Sequence, residues 1–315
     1  MKQTTAERDQ ILYGTRVAWY YYKTGMTQSE IAEKLGLNRA RVINILNEAK
    51  RSGMVSIHVS GEDPELFELE ARMKARWNLR EVMLIPSVPA EQVNESLGLA
   101  AAQFLEMRLQ ESEHLVGLGW GSTVVSAMRN LGRLAGREVE FVTLCGGVMN
   151  YLSHVTPGNV GSFLSGFFYP FHVIPTPLLV SNETLRNELL QELEVQEVMR
   201  KARSCDLALV GIGAVAPSAG FREFGYRSSE ELEQLRQVGA AGEIFGEHFD
   251  QEGRPLELEH HSRLISTRLE ELQGMTHVVG AAGGLEKIDA LRGALRGRFL
   301  HSLITDEDSA RILSA

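Results

Sequence analysis

The stretch TQSEIAEKLGLNRARVINIL, Thr27–Leu46, decides how this chain is divided. Thr27 followed three residues later by Glu30 is a capping box, which predicts a helix starting at Thr27. Ile31, Ala32 and Leu35 share one face of that helix, with Gln28, Ser29 and Glu33 elsewhere. Gly36 ends it, because glycine enters a left-handed backbone without a Cβ penalty. Asn38 caps a second helix whose buried face is Val42, Ile45, Leu46 and Ala49, spaced i, i+3, i+4, i+7. Gly53 closes that one. Two short helices joined by a tight glycine turn form a helix-turn-helix unit.

In such a unit the second helix enters the major groove and its first turns meet base edges. Those turns carry Arg39, Arg41, Ile43 and Asn44, with Asn38 at the cap and Thr27 and Gln28 opening the first helix. Arginine binds guanine bidentately, asparagine does so with adenine, and an apolar side chain packs on a thymine methyl. The plainer alternative is a helical hairpin with a solvated basic face. Caps on both helices, small Ala32 where the helices meet and Arg/Asn at the leading turns favour DNA. Upstream, RVAWYYYKTG puts Tyr13, Val17, Tyr20 and Tyr21 on one helical face, read as an aromatic core stripe. Downstream, MVSIHVS (54–60) is short and β-prone, a wing strand.

Charge supports the division. Residues 1–59 hold nine Lys/Arg against five Asp/Glu, +4, so the rest of a chain of net charge −9 carries −13. Affinity for DNA rests largely on phosphate neutralisation, so binding belongs to the first sixty residues. The acidic bulk serves something else. A 315-residue chain exceeds one ordinary domain, and 43% apolar residues give it ample core. The expected division is a reader at 1–60, a charged amphipathic linker helix at 61–80 and a large domain at 81–315. Cys145 and Cys205 sit in separate apolar runs with no metal-ligand spacing, so both read as small buried residues in a reducing compartment. The uncharged run SFLSGFFYPFHVIPTPLL (162–179) holds three prolines and His172, which argue against a membrane span. Helix, turn and buried strand fit it better. With no signal pattern at the N-terminus, the expectation is a soluble cytoplasmic protein.

Four short apolar runs ending in glycine follow: HLVGLGWGST (114–123), EFVTLCGGV (140–148), LALVGIGAV (207–215) and HVVGAAGG (277–284). Helical patterns such as Thr184–Ala202 separate them. Strands alternating with helices imply an α/β domain with a parallel sheet. Such sheets bind ligands at the C-terminal ends of their strands. Glycines there, Gly119, Gly121, Gly146, Gly147, Gly211, Gly213, Gly283 and Gly284, let backbone N–H groups approach an anion. GLGWGST departs from the dinucleotide fingerprint, and the acidic residue that would read a ribose is missing after TLCGGV. For any single run, tight turn geometry is the simpler reading. Four together, two of them followed by Ser122/Thr123 or Lys287, favour a small phosphorylated ligand over NAD.

Taken in order, AWYYYKTGMTQSEIAEKLGLNRARV, VGLGWGSTV, VTLCGGV, DLALVGIGAV, GAAGEIFGEHFD, AAGGLEKIDAL and SLITDEDSA resemble the SorC family of sugar-responsive bacterial transcription regulators, over nearly the whole chain. That resemblance implies an N-terminal winged helix-turn-helix. It also implies an effector domain shaped like ribose-phosphate isomerase and glucosamine-6-phosphate deaminase, a sugar effector that is usually phosphorylated, and a homo-oligomer, usually a tetramer. It implies a phosphate cradle of Gly121, Ser122, Thr123, Gly146, Gly147 and Lys287, a hydroxyl-binding Glu243 and an apolar wall at Trp120. Where the family's recognition helix usually reads Val-Ser-Arg-Leu-Leu, this chain has Val42-Ile43-Asn44-Ile45-Leu46, which removes an arginine from the usual base contacts.

The main expectation is a ligand-controlled transcription regulator with operator DNA, a sugar or sugar phosphate and its own copies as partners, no cofactor and no membrane contact. The competing class is a sugar-phosphate isomerase or deaminase carrying a DNA-binding appendage. For that chemistry Asp206, Glu243, Asp250 and His248 are the available acids and bases, yet no pair has a spacing that requires catalysis.

Overall fold

The Thr27 hydroxyl accepts the Glu30 N–H, and a Glu30 carboxylate oxygen accepts the Thr27 N–H at 2.7 Å. Helix α2 (Gln28–Leu35) therefore begins where the capping box puts it. It ends at Gly36, φ 65°, in the left-handed region. Asn38 Oδ1 accepts the Arg41 N–H at 2.8 Å and starts α3 (Arg39–Arg51). Ahead of both runs α1 (13–23), whose last turn, Trp19–Lys23, is π-helical. Val17, Ile31, Ala32, Val42, Ile45 and Leu46 form the core of this three-helix unit, with Tyr13, Tyr20, Tyr21 and Leu35 packed on its edge. Ala49 is fully buried as well.

The computed structural model describes residues 13–51, 54–55, 64–111, 114–132, 138–147, 169–215 and 229–315. The expected cap at Gly53, most of the 54–60 wing and residues 162–168 of the uncharged run lie outside them. By its internal contacts the chain forms two compact units, Met1–Glu62 with Arg129–Gly132, and Asp63–Met128 with Arg133–Ala315.

The larger unit opens with α4 (Pro64–Trp77) and β1 (Glu81–Ile85), then α5 (Ala90–Glu111), β2 (Leu115–Leu118), α6 (Ser122–Asn130), β3 (Glu140–Thr143) and β4 (Phe171–His172). Helices α7 (Glu183–Leu189) and α8 (Leu193–Arg203) lead to β5 (Leu207–Val210) and β6 (Gly213–Ala214). After α9 (Ser229–Gln237) come β7 (Gly242–Ile244), β8 (Glu247–Phe249), a 3₁₀ turn Glu259–Arg263 and α10 (Leu269–Gly274). The chain ends with β9 (Val278–Ala281), a 3₁₀ turn Leu285–Lys287, α11 (Ile288–Arg296), β10 (Ser302–Asp306) and α12 (Glu307–Ser314).

All four glycine-ended runs are strands. They lie side by side as β9-β5-β2-β3 within a seven-stranded sheet of order β1-β10-β9-β5-β2-β3-β4, and every pairing is parallel. The order reverses between β2 and β5. From β2 the chain moves out to β3, whereas from β5 it moves the other way to β9. The crevice at such a reversal is where parallel sheets bind ligands.

Three features depart from the sequence reading. The helix expected over Thr184–Ala202 is two helices, broken at Leu190–Glu192. No glycine or proline marks the break; Leu189 and Leu190 pack on a local core of Ile174, Val180, Val195, Met199 and Ile265, so tertiary packing overrides helix propensity. Within 169–179 the only strand is the two-residue β4, half-buried at the sheet edge. Pro170, Pro175 and Pro177 cannot donate to a ladder, which confines this segment to an edge. A second, antiparallel sheet, β6-β7-β8, has strands too short to show a period in sequence.

Helix α4 packs into the larger unit. Leu69 and Met73 join its core, Glu70 accepts the Leu84 N–H at 2.8 Å, and Trp77 Nε1 donates to the Leu313 carbonyl. Among the described residues no helix is long and apolar enough to cross a membrane.

Candidate functional site

The first candidate surface is the leading end of α3. Burying Val42, Ile45, Leu46 and Ala49 turns Arg39 and Asn44 fully outward and leaves Arg41 and Ile43 partly exposed. Thr27 spends its hydroxyl on the capping box, and Asn38 spends its Oδ1 on α3. Gln28 accepts from Arg39 Nε at 3.3 Å, tying the start of α2 to the start of α3. The hydrogen bonds from Thr27 hold the Glu30 carboxyl below its ordinary range, so the cap is charged at neutral pH.

The second candidate lies beyond the C-terminal ends of β2, β5 and β9. Gly119 donates to the Leu209 carbonyl at 2.8 Å and joins the strand ends across the reversal. A Cβ on Gly119 would come within 2.6 Å of the Phe245 ring, and one on Gly211 within 3.0 Å of the Trp120 carbonyl. The two glycines let these segments close on one another. Trp120 is half-buried and its Nε1 donates to the Gly146 carbonyl at 3.1 Å. Gly121, φ 148°, turns the chain into α6. The first amides of a helix have no partner within it, so Ser122 and Thr123 open the crevice with an anion-attracting end. Thr123 itself is buried, its hydroxyl within 3.3 Å of Asn94 Oδ1, so its contribution to a ligand is its backbone.

Glu243 reaches the same crevice from β7. A Cβ on Gly213, its cross-strand neighbour, would overlap the Glu243 carboxylate, so glycine there makes room for it. The other Glu243 oxygen accepts the Gly246 N–H at 2.6 Å and braces the two-residue turn Phe245–Gly246, both at positive φ. Lys287 stands on the turn after β9. Burial pushes its ammonium below the ordinary lysine range, while Glu286 and Glu243 pull it back up. The expected residues Trp120, Gly121, Gly211, Gly213, Glu243 and Lys287 therefore converge.

Two glycine pairs serve differently from the expected cradle. The Gly146 N–H goes to the Ile265 carbonyl at 2.9 Å and the Gly147 N–H to Thr176 at 2.8 Å. The Gly284 N–H goes to Asp306 Oδ2 at 2.7 Å, and a Cβ on Gly283 would overlap that carboxylate. The Gly146, Gly147 and Gly284 amides are engaged by the protein itself, so these three shape the crevice rather than offer it donors. The sequence reading gave no role to Asp306, buried at the end of β10, or to Phe245, although both stand in quoted motifs, SLITDEDSA and GAAGEIFGEHFD.

Of the acids and bases considered for catalysis, Glu243 and His248 are register partners on the β7–β8 hairpin, and Asp206 lies apart from them. Asp206 accepts the His114 and Leu115 N–H groups at the opposite, N-terminal edge of the sheet. Asp250 accepts the Glu252 and Arg254 N–H groups in a turn, and His248 is fully buried. Burial and the Glu243 charge push the Cys145 thiol well up, and burial raises Cys205 to about 12, so neither is a nucleophile.

A helix-turn-helix with a polar leading face and, in the same chain, an α/β unit with a glycine-lined crevice are the parts of a ligand-responsive DNA-binding regulator. Comparison with known proteins agrees. Residues 64–314 match the family model described as "Putative sugar-binding domain". The chain is 34% identical over 304 residues to the transcriptional regulator LsrR of Enterobacter sp. (strain 638), covering 95% of this chain and 92% of that one. Against LsrR of Escherichia coli K12 it is 31% identical over 313 residues, 98% and 95% of the two chains. The crystal structure of the full-length sorbitol operon regulator SorC from Klebsiella pneumoniae superposes with a TM-score of 0.70 at 28% identity, covering 98% of this chain and all of that one. The chain belongs to the SorC family of sugar-binding transcriptional regulators.

Proposed function

We propose that the effector is a phosphorylated sugar or polyol and that its binding in the β2/β5 crevice controls operator binding by α3. The observation that carries this reading is the convergence of the α6 N-terminus, Lys287, Glu243 and Trp120 at the sheet's reversal point. An anion at the α6 N-terminus meets the first amides of the helix, and the half-buried Lys287 ammonium near it gains a counter-charge. Glu243 accepts from sugar hydroxyls, and Trp120 presents an apolar ring to a sugar face. The phosphate donors in this reading are Gly121, Ser122, Thr123 and Lys287, with Gly146, Gly147, Gly283 and Gly284 as spacers. No cofactor is required.

On the DNA side, Arg39, Arg41, Ile43 and Asn44 read base edges. A lone reader of net charge +4 makes few phosphate contacts. We therefore expect an even-numbered homo-oligomer, a dimer or tetramer, on a roughly palindromic operator with half-sites about 34 Å apart. The protein works in the cytoplasm. Its larger unit is of the sugar-phosphate isomerase and deaminase type but acts as a sensor. The engagement of Asp206 and Asp250 by backbone N–H groups and the full burial of His248 support binding without turnover.

The test is calorimetric titration with sugar phosphates and their dephosphorylated forms, with conversion of each followed by chromatography. Tighter binding of a phosphorylated form without conversion is the expected result. Robust conversion would replace the regulator reading with the enzyme reading, and equal affinity for both forms would remove the phosphate.

A further inference from the structure

On the β7–β8 hairpin, next to Glu243, three histidines meet. His248 comes from β8; His260 and His261 are adjacent on the 3₁₀ turn Glu259–Arg263. One ring nitrogen from each lies within 4.8 Å of the other two. His248 Nδ1 is 3.3 Å from His261 Nε2 and 3.3 Å from His260 Nε2. The His248 and His261 rings are stacked, 10° apart, and the His260 ring is set across both at 80–85°. His248 and His261 are buried and His260 is half-exposed.

These separations match a coordination polyhedron. Imidazole nitrogens about 2.0–2.1 Å from a tetrahedral zinc ion stand about 3.3–3.4 Å apart. The tautomers also suit ligation. His261 Nε2 accepts the His248 backbone N–H at 3.1 Å, so it carries no proton, and its lone pair can be taken up by an ion in place of that N–H. The Gly246 carbonyl lies 3.3 Å from His260 Nε2 and adds an oxygen donor beside the three nitrogens. No carboxylate belongs to the group, which disfavours magnesium and calcium and suits a nitrogen-seeking transition ion.

The geometry points to a three-histidine site for a divalent transition-metal ion of the zinc class, held by His248, His260 and His261 and entered from the His260 side. The ion replaces the hydrogen bond between His248 N–H and His261 Nε2 and takes water or the Gly246 carbonyl as its fourth ligand. It pins the 3₁₀ turn to the β7–β8 hairpin. Glu243 is the direct register partner of His248 and also braces the Gly246 N–H, so the metal fixes the hairpin from which Glu243 projects. Its role is structural: it steadies one wall of the effector crevice.

The test uses the full-length protein, stripped with chelator and reloaded with zinc or cobalt chloride. Zinc retained after dialysis is measured by elemental analysis, its affinity by competition with a chromophoric chelator, and cobalt geometry by visible absorption. The expected result is one zinc per chain, an intense cobalt d–d band of low coordination number and no thiolate charge-transfer band. H260Q should weaken zinc at least tenfold, and so should H261Q. H172Q, which alters a histidine paired with Glu140 and Lys201 outside the cluster, should change nothing. Far-UV circular dichroism of each variant controls for folding, and the wild-type cobalt spectrum depends on no variant. Zinc at well under one equivalent, a weak six-coordinate cobalt band, or affinity unchanged in both H260Q and H261Q would overturn the site and leave a plain hydrogen-bonded cluster.

Discussion

Lys287 is the residue on which the nature of the effector turns. A half-buried ammonium is costly without a counter-charge, and Glu243 and Glu286 supply only part of one. Losing its charge-assisted contact to phosphate should weaken a sugar phosphate by about 1.5–3 kcal/mol, roughly ten- to a hundredfold, and leave the dephosphorylated sugar unaffected. Calorimetry on Lys287→Ala reads both. Gly213→Ala makes a complementary prediction. Its Cβ displaces only the flexible end of Glu243, so the fold should lose less than about 1 kcal/mol while effector affinity falls. At Gly253, φ 76°, a Cβ would run into the Gly297 backbone instead, so that substitution should lower the denaturation midpoint directly. Trp120 and the hydroxyl-binding role of Glu243 came only through the ordered family motifs, whereas Lys287 was also marked by its place after a glycine-ended run. Asp306 and Phe245 stand in two of those motifs, but their roles were illegible, because they come from what the fold brings beside them: the Gly283–Gly284 turn and Gly119.

At the scale of the element, local chemistry was the better guide. The capping box, the left-handed glycine, the Asn38 cap and the apolar spacing each act within four residues, and the small unit follows them closely. Thr27→Ala should therefore cost about 1 kcal/mol of that unit's stability, seen as faster amide exchange in the first turn of α2. On α3, Arg41→Ala should weaken the operator by about 1–3 kcal/mol and relax one base position per half-site. Binding to randomised duplexes distinguishes the cases, since equal losses on specific and random DNA would make Arg41 a phosphate contact. The glycine-ended strands were readable because each is a short apolar run stopped by a turn. The break between α7 and α8 and the β6-β7-β8 sheet were not. The first is made by packing on Ile174 and Ile265, and the second by strands of two or three residues.

For the whole molecule, the charge difference between +4 and −13 announced two units with separate tasks, and the strand order that creates the crevice emerged only on folding. The larger unit also carries an acid sensitivity at the opposite edge of its sheet. Burial, with Arg80 and Arg108 nearby, depresses His277 to about 4, and burial with Arg80 lowers His301. Unfolded, both take up protons near pH 6.5, so the native state is fully favoured above that pH and loses stability as pH falls from 6.5 towards 4. For His277 the loss is on the order of 3 kcal/mol. Denaturant midpoints of wild type should fall between pH 7 and 5, and His277→Gln should flatten that fall. Coupling between the two units is best read from operator affinity itself. Full-length protein is titrated onto a fluorescent operator selected from randomised duplexes, with each member of a sugar-phosphate panel present in turn. The expected result is that at least one sugar phosphate shifts the operator Kd about 5–150-fold, a coupling of roughly 1–3 kcal/mol, and that Lys287→Ala abolishes the shift at the same ligand concentration. An operator Kd unmoved across the panel, or a shift that persists undiminished in Lys287→Ala, would contradict a phosphate-gated sensor.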